Sequence, residues 1–455
     1  MGKRLILVLA LALVVGLTFS AAYAEVQNVK VSGDITMSGI ARNHFNLVNN
    51  AVSGTPGGDK SVLKQNFLMS QIRVRIDADL TDNVMATVRM INERIWNGQN
   101  DTNNGGTSSS NSTNIDLDLA YVALKEFLYS PLTLTVGRQE IKFGNGFVIG
   151  NAKAFGTSSS IPTDLSERKA FDAIRATLNY DPLVVDLVYA QVKQSATNDR
   201  NTVSLTGINA NYTINKKVNV SGYYWLKRNN NHTGTNVSTR TDELSTIGGL
   251  VSTTPIENLT ASLEGAYQFG RNTETASTTQ KRHDAWSLQA MADYTFAKVK
   301  TTPKIGASYT YLSGAKKDGT KNQGWDPLFY DQKLNNIVYT ILPFSNMNAF
   351  NVRGSMKPVE DVTVSVVYGY YDVAQKNGAD FTIPNTYDNG ATYGSGTGTY
   401  TGKRHLGSAL DGTITYDYTE DVQFGLTAGY FLPGGALSSN SANASQLIGS
   451  MKVTF

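Results

Sequence analysis

Residues 71–80 read Gln-Ile-Arg-Val-Arg-Ile-Asp-Ala-Asp-Leu. Ile72, Val74, Ile76, Ala78 and Leu80 share one parity, and Arg73, Arg75, Asp77 and Asp79 share the other. Side chains alternate faces along a strand, so this stretch is a ribbon with one apolar face and one charged face. Helical spacing does not compete in this window, nor in the similarly alternating windows 259–267, 286–294, 362–368 and 422–430.

About eighteen such segments follow one another between residues 30–43 and 446–455. Their connections alternate strictly between two classes. Short ones include 81–83, 181–182, 215–217, 255–258, 358–361 and 419–421; long ones include 43–63, 97–113, 144–169, 229–243, 270–284, 313–346 and 374–403. Short turns on one rim and long polar loops on the other predict a transmembrane antiparallel β-barrel with periplasmic turns and extracellular loops. An even strand number places both ends of the chain on the short-turn side. Closure follows from hydrogen bonding, because an open sheet edge in lipid leaves N–H and C=O groups that no water can satisfy.

Composition agrees. Charged residues make up 17% of the 455, against roughly 25% in a typical soluble protein. A lipid-facing Arg or Lys at mid-depth costs about 2–4 kcal/mol, which keeps charge off half of every strand. Cysteine is absent, which excludes disulfides, thiolate metal sites, thiol catalysis and covalent haem attachment. A net charge of +3 and four histidines point neither to nucleic-acid binding nor to a histidine-rich metal protein. No cofactor is expected.

Lys3 and Arg4, the apolar run 5–17 and Ala22-Tyr23-Ala24 have the order of an export signal cut before Glu25. Residues 1–24 are therefore read as a signal peptide and 25–455 as one barrel domain. The apolar run is shorter than the ~20 residues a membrane-spanning helix needs.

Aromatic residues such as Tyr189, Tyr212, Tyr267, Tyr294, Tyr309, Tyr416 and Tyr430 fall toward the ends of the apolar faces. That placement suits girdles at the two lipid headgroup levels. The chain closes on Met451, Val453 and Phe455 in one parity, which resembles the C-terminal signal that barrel-insertion machinery reads in bacterial outer-membrane proteins. Outer-membrane lipid and that machinery, through Phe455, are the expected partners.

Gly137-Arg138-Gln139-Glu140 with Phe143-Gly144, then Gly324-Trp325-Asp326-Pro327-Leu328-Phe329, then His405-Leu406-Gly407 and residues 428–434 resemble the alginate-export-like outer-membrane porins of Gram-negative bacteria. The resemblance is patchy before residue 115 and departs after Phe329, where Tyr330-Asp331-Gln332-Lys333 stands. It implies an 18-stranded monomeric barrel and a channel function.

Barrels of this size leave an aqueous lumen. Parity assigns Arg73, Arg75, Asp77, Asp79, Arg89, Asp116, Asp118, Arg175, Asp186, Glu264, Asp293, Lys304, Arg353, Asp411 and Asp417 to it. Arg138, Glu140 and Lys142 join them if Gly137 marks a bulge. These charges either form a selectivity arc or pair across adjacent strands as structural ladders. The apolar cluster around Trp325, Asp326, Leu328 and Phe329 in the long loop 313–346 either folds into the mouth as a constriction or caps the rim. The tracts 100–114 and 389–402 read as solvated loops.

Catalysis finds no support, since His44, His232, His283 and His405 share no spacing that would build one site. Asp101, Asp326 and Asp331 could ligate calcium in loops, a weaker reading. The sequence thus predicts a passive porin for small hydrophilic solutes, anionic ones or oligosaccharides included. The alternatives are a sheath around a periplasmic cytochrome partner, or another surface role.

Overall fold

The computed structural model describes residues 28–45, 47, 64–96, 115–152, 161–162, 164–194, 202–230, 241–273, 280–316, 320–376, 401–437 and 441–455. The signal segment 1–24, Asp101, His232, the tract 100–114 and residues 389–400 lie outside them.

The strands are β1 (Asn28–Asn43), β2 (Lys64–Thr81), β3 (Val84–Ile95), β4 (Asp116–Leu124), β5 (Leu132–Gln139), β6 (Phe171–Asn179), β7 (Leu183–Lys193), β8 (Val203–Asn215), β9 (Val218–Asn229), β10 (Asp242–Thr253), β11 (Leu259–Thr273), β12 (Gln280–Thr295), β13 (Lys304–Leu312), β14 (Lys321–Asn322), β15 (Met347–Val359), β16 (Val362–Val373), β17 (His405–Asp417), β18 (Val422–Pro433) and β19 (Ala444–Thr454). All but β14 form one closed antiparallel wall of 18 strands, each pairing with its sequence neighbours. Closure is made by β1, which pairs with β2 on one side and β19 on the other, Met37 opposite both Ser70 and Met451. The carbonyl and amide of Phe455 complete the seam by exchanging hydrogen bonds with Gly33, at 2.8 and 3.0 Å. The two-residue β14 pairs in parallel with β12 at its long-loop end.

The outer face is apolar: Val136, Ile174, Leu187, Leu263, Leu426 and Leu447 are each exposed on it. Their neighbours along each strand point inward, among them Thr135, Arg175 and Asp186. A packed core still exists, and it lies inside the barrel. Phe147, Ile149, Trp325, Phe329 and Ile337 from the loops meet Trp225, Tyr371, Leu406 and Phe431 from the inner wall in one buried cluster.

Two elements escape the strand periodicity. β5 ends at Gln139, five residues before the long connection expected from residue 144, and residues 336–341 of the long loop form a one-turn helix, α1 (Asn336–Ile341).

Candidate solute pathway

Strand parity fixes the direction of the wall charges. On β2, Arg73 reaches Asp34 of β1 at 2.8 Å, and Arg75 reaches Asp77 two residues on at 2.7 Å. Thr87 donates to Asp77 at 2.7 Å. Arg89 of β3 contacts Asp118 at 2.6 Å and also Glu140. The β3–β4 register skips Asp118, so the extra residue and its partner share the inner side. Arg175 pairs with Asp186 at 2.8 Å and lies over the Phe143 ring, 5.4 Å from its centre. Asp79 stands at the short-turn end opposite Asn28 and Met85. Arg353 of β15 reaches Asp293 of β12 at 2.5 Å across the intervening β13. Each inward arginine thus has a carboxylate, the ladder arrangement rather than an uncompensated cationic arc.

Arg138 does not face the lumen. Register runs unbroken through Gly137, with Val136 opposite Ile174 and Arg138 opposite Asp172. Val136 and Ile174 are outward and exposed, so Arg138 shares the outer face, where it pairs with Asp172 at 3.2 Å. Gly137 does take a positive φ of 124°, but this is absorbed without an inserted residue, and the parity shift expected of a bulge never occurs.

Two long loops fold inward and join. Residues 140–152 and 325–331 run side by side: Phe329 donates its N–H to Val148 at 3.1 Å, Gly150 donates to Phe329 at 2.7 Å, and Asp331 donates to Gly146 at 2.7 Å. Gly146 has φ +70°, and a Cβ there would lie 2.7 Å from the Asp331 carbonyl oxygen, so both its conformation and its closeness demand glycine. The aromatic cluster follows from burial. Trp325 stacks on Phe147 with ring centres 6.2 Å apart, and Phe329 meets Phe171 edge-on at 5.6 Å. Burying each such ring contributes roughly 1.5–3 kcal/mol.

The cluster therefore sits in the mouth and not on the rim. Trp325, Leu328 and Phe329 are buried against inner-wall residues, with polar residues of the same loops beside them. Asp326 is held by Lys227 at 2.8 Å and by a reciprocal pair with Gln268, which donates to the Asp326 carbonyl at 2.7 Å and accepts from its N–H at 2.9 Å. Burial acts to raise the Asp326 carboxyl, but the charge and hydrogen bond of Lys227 outweigh it and hold the group below its ordinary value. Helix α1 docks by its first turn, where the amides of Asn336 and Ile337 donate to Asp411 on the inner wall and Asn335 caps Val338 at 3.1 Å.

Around the joined loops stand three lysines. Lys142 and Lys169 approach Asp331 at 3.4 and 3.0 Å, and Lys333, two residues along, donates to the Asp164 carbonyl at 3.0 Å. Lys333 is accessible to lumen water yet largely surrounded by protein, and that desolvation pushes its ammonium below the ordinary 10.5 despite nearby carboxylates. Asp326 and Asp331, weighed above as calcium ligands, are taken up by lysines instead. Lys169, Lys227 and Lys333 went unnoticed in the sequence because they lie in irregular loops, or, for Lys227, in a strand end whose partner is a loop residue. The remaining loop segment is anchored through Glu93, which accepts from Gln71, Ser166 and the Glu167 amide at 2.8 Å each. Glu264 is buried beneath the loops, accepting from the Tyr223 hydroxyl at 2.9 Å. Asp116 pairs with Arg168 at 2.6 Å.

Below the constriction the lumen opens toward the short-turn rim as a cavity of about 420 Å³ lined by Asn145, Asn219, Ser262 and Asp293 among others. A closed 18-stranded wall with an apolar outer band, long loops on one rim and an inward-folded constriction defines an outer-membrane porin. The alginate export family model matches residues 39–450, and the chain belongs to that family. Among solved structures, it is similar to a BenF-like porin from Pseudomonas fluorescens Pf-5 at 11% identity and a TM-score of 0.56, covering 94% of this chain and 100% of that one. OccK8 (OprE) of Pseudomonas aeruginosa follows at 11% identity and 0.54, covering 94% and 99%. OccK2 (OpdF) of the same organism, solved in complex with glucuronate, is 10% identical with a TM-score of 0.53, covering 94% and 99%. No curated protein matches this chain. Family and fold are those of channels, not enzymes, and place the protein in the Gram-negative outer membrane as a channel for small solutes.

Proposed function

We propose that the channel passes small hydrophilic solutes by passive diffusion and favours anions, sugar acids and other carboxylates among them. The observation that carries this reading is the lysine group at the constriction. Lys142 and Lys169 share the one carboxylate of Asp331, and the other carboxylates near Lys333, those of Asp164 and Glu167, are taken by Arg42 and Arg73, whereas the wall arginines are matched pair by pair. Excess cationic charge at the narrowest point selects anions, and charge neutralised in ladders does not. Glucuronate, bound by the structural neighbour noted above, is a solute of the favoured class. The sheath reading is less well supported, because the chain's own loops fill the mouth that an inserted partner would need.

The test is reversal potential in planar bilayers under a salt gradient. Wild-type channels should be open and anion-preferring, and K142Q/K169Q/K333Q should move the anion-to-cation permeability ratio several-fold toward unity. An unchanged ratio would remove the lysines from selectivity, and absent conductance in the pure protein would favour the sheath.

A further inference from the structure

The outer surface carries a second charged feature that solute passage does not use. At the long-loop ends of β9 to β12 and β14, Arg228, Glu243, Arg271, Arg282 and Lys321 stand directly opposite one another in one lateral row. All five share the outward parity of Ile247, Tyr267, Phe269 and Trp286, which are exposed. Glu243 is taken by Arg228 at 3.0 Å, and Asp284, just below the row, by Lys321 at 2.7 Å. Arg271 and Arg282 then face each other with no ion pair within 4.0 Å among the described residues, Asp284 acting on Arg282 only from farther away. Like charges directly opposed in a sheet are destabilising unless an anion lies between them.

Height places the row. From Leu259 at the short-turn end of β11 to Arg271 is twelve residues, or about 40 Å along the strand. A tilt of ~40° turns this into roughly 30 Å of height, against an apolar band of ~25 Å in such barrels. Arg271 and Arg282 therefore stand just above the band, over an aromatic layer in which Trp286 and Tyr311 lie 4.2 Å apart between ring centres. A ligand there needs acyl chains to lie along the apolar wall and an anionic head to meet two guanidinium forks. Phosphate oxygens fit such forks bidentately.

We infer that Arg271 and Arg282, flanked by Arg228 and Lys321, bind the phosphorylated glycolipid of the outer leaflet, one lipid A phosphate bridging the opposed arginines. The partner follows from charge complementarity at headgroup height, and the inference is independent of which solute the lumen carries.

The test uses the refolded mature barrel in detergent, with native mass spectrometry reading retained bisphosphorylated lipid A, phosphatidylglycerol and inorganic phosphate. Wild type should hold lipid A at least tenfold more tightly than R271Q/R282Q, and more tightly than either other probe, while single-channel conductance is the same in both. The heat-dependent gel mobility of the barrel checks folding, and R282Q alone, expected to show an intermediate loss, serves if the double variant fails to fold. Equal retention of lipid A by wild type and variant overturns the inference. So does wild-type binding of inorganic phosphate as tight as that of lipid A, which would make the row a general anion site.

Discussion

At position 306 any side chain beyond hydrogen would press on an ion pair. Gly306 lies on β13 opposite both Asp293 and Arg353, and a Cβ there would fall 2.1 Å from the Asp293 carboxylate and 2.8 Å from the Arg353 guanidinium. Alanine in place of glycine within a strand ordinarily gains about 0.5–1 kcal/mol from reduced chain entropy. The forced displacement of the ion pair costs more, roughly 1–3 kcal/mol by analogy with overpacking. G306A should therefore unfold at lower urea concentration than wild type, and a rise in the midpoint would show that the pair can shift freely. Alternation alone put Arg353 and Asp293 on the same side, but not within reach of each other, because that depends on a missing side chain one strand away.

Asp326 gives a residue-scale pH dependence. Its carboxyl is held below the ordinary carboxylate value by Lys227, so the stabilisation it adds is complete above the unfolded value near 4 and disappears as pH falls through the lower folded value. The loop latch should be insensitive to pH between 5 and 8 and loosen only in stronger acid. Trp325 fluorescence followed from pH 7 to pH 3 reads this directly, and a transition centred above pH 5 would assign control to another group.

At the scale of elements, helix α1 is one turn long and too short to persist by itself. It is kept by Asp411, whose carboxylate accepts two amides of the first turn, and by the burial of Ile337 and Ile341. D411A would leave those amides unsatisfied at a cost of about 1–3 kcal/mol. The loop should then visit undocked positions, giving a larger and noisier single-channel conductance with the barrel still folded, whereas identical conductance would show that the aromatic cluster suffices. The strands were legible because lipid and lumen impose a period of two. The apolar content of residues 325–342 signalled that the loop must pack, but nothing in it named Asp411, 75 residues away. Gly137 is ambiguous for a related reason: a glycine marks unusual backbone without saying whether a residue is inserted, and the bulge that would turn Arg138 inward is absent from the β5–β6 register.

For the whole molecule, strand number and order followed from sequence, since closure in lipid allows one arrangement of eighteen consecutive hairpin-connected strands, whereas boundaries such as the end of β5 did not. The pathway was less legible. Parity gave the direction of the wall charges, while their neutralisation and the surplus at Lys142, Lys169 and Lys333 depend on loops without periodicity.

The side-by-side run of residues 140–152 with 325–331 has a consequence for how the protein comes to be made. Its partners are separated by nearly 190 positions, as Lys142 and Asp331 show, and belong to opposite halves of the wall. Neither loop can find the other until the strands between them have paired, and contacts of such long range form late. The throat therefore takes shape only once the strands from β6 to β13 stand between its two loops, so its charges come together late in the making of the channel rather than at its start.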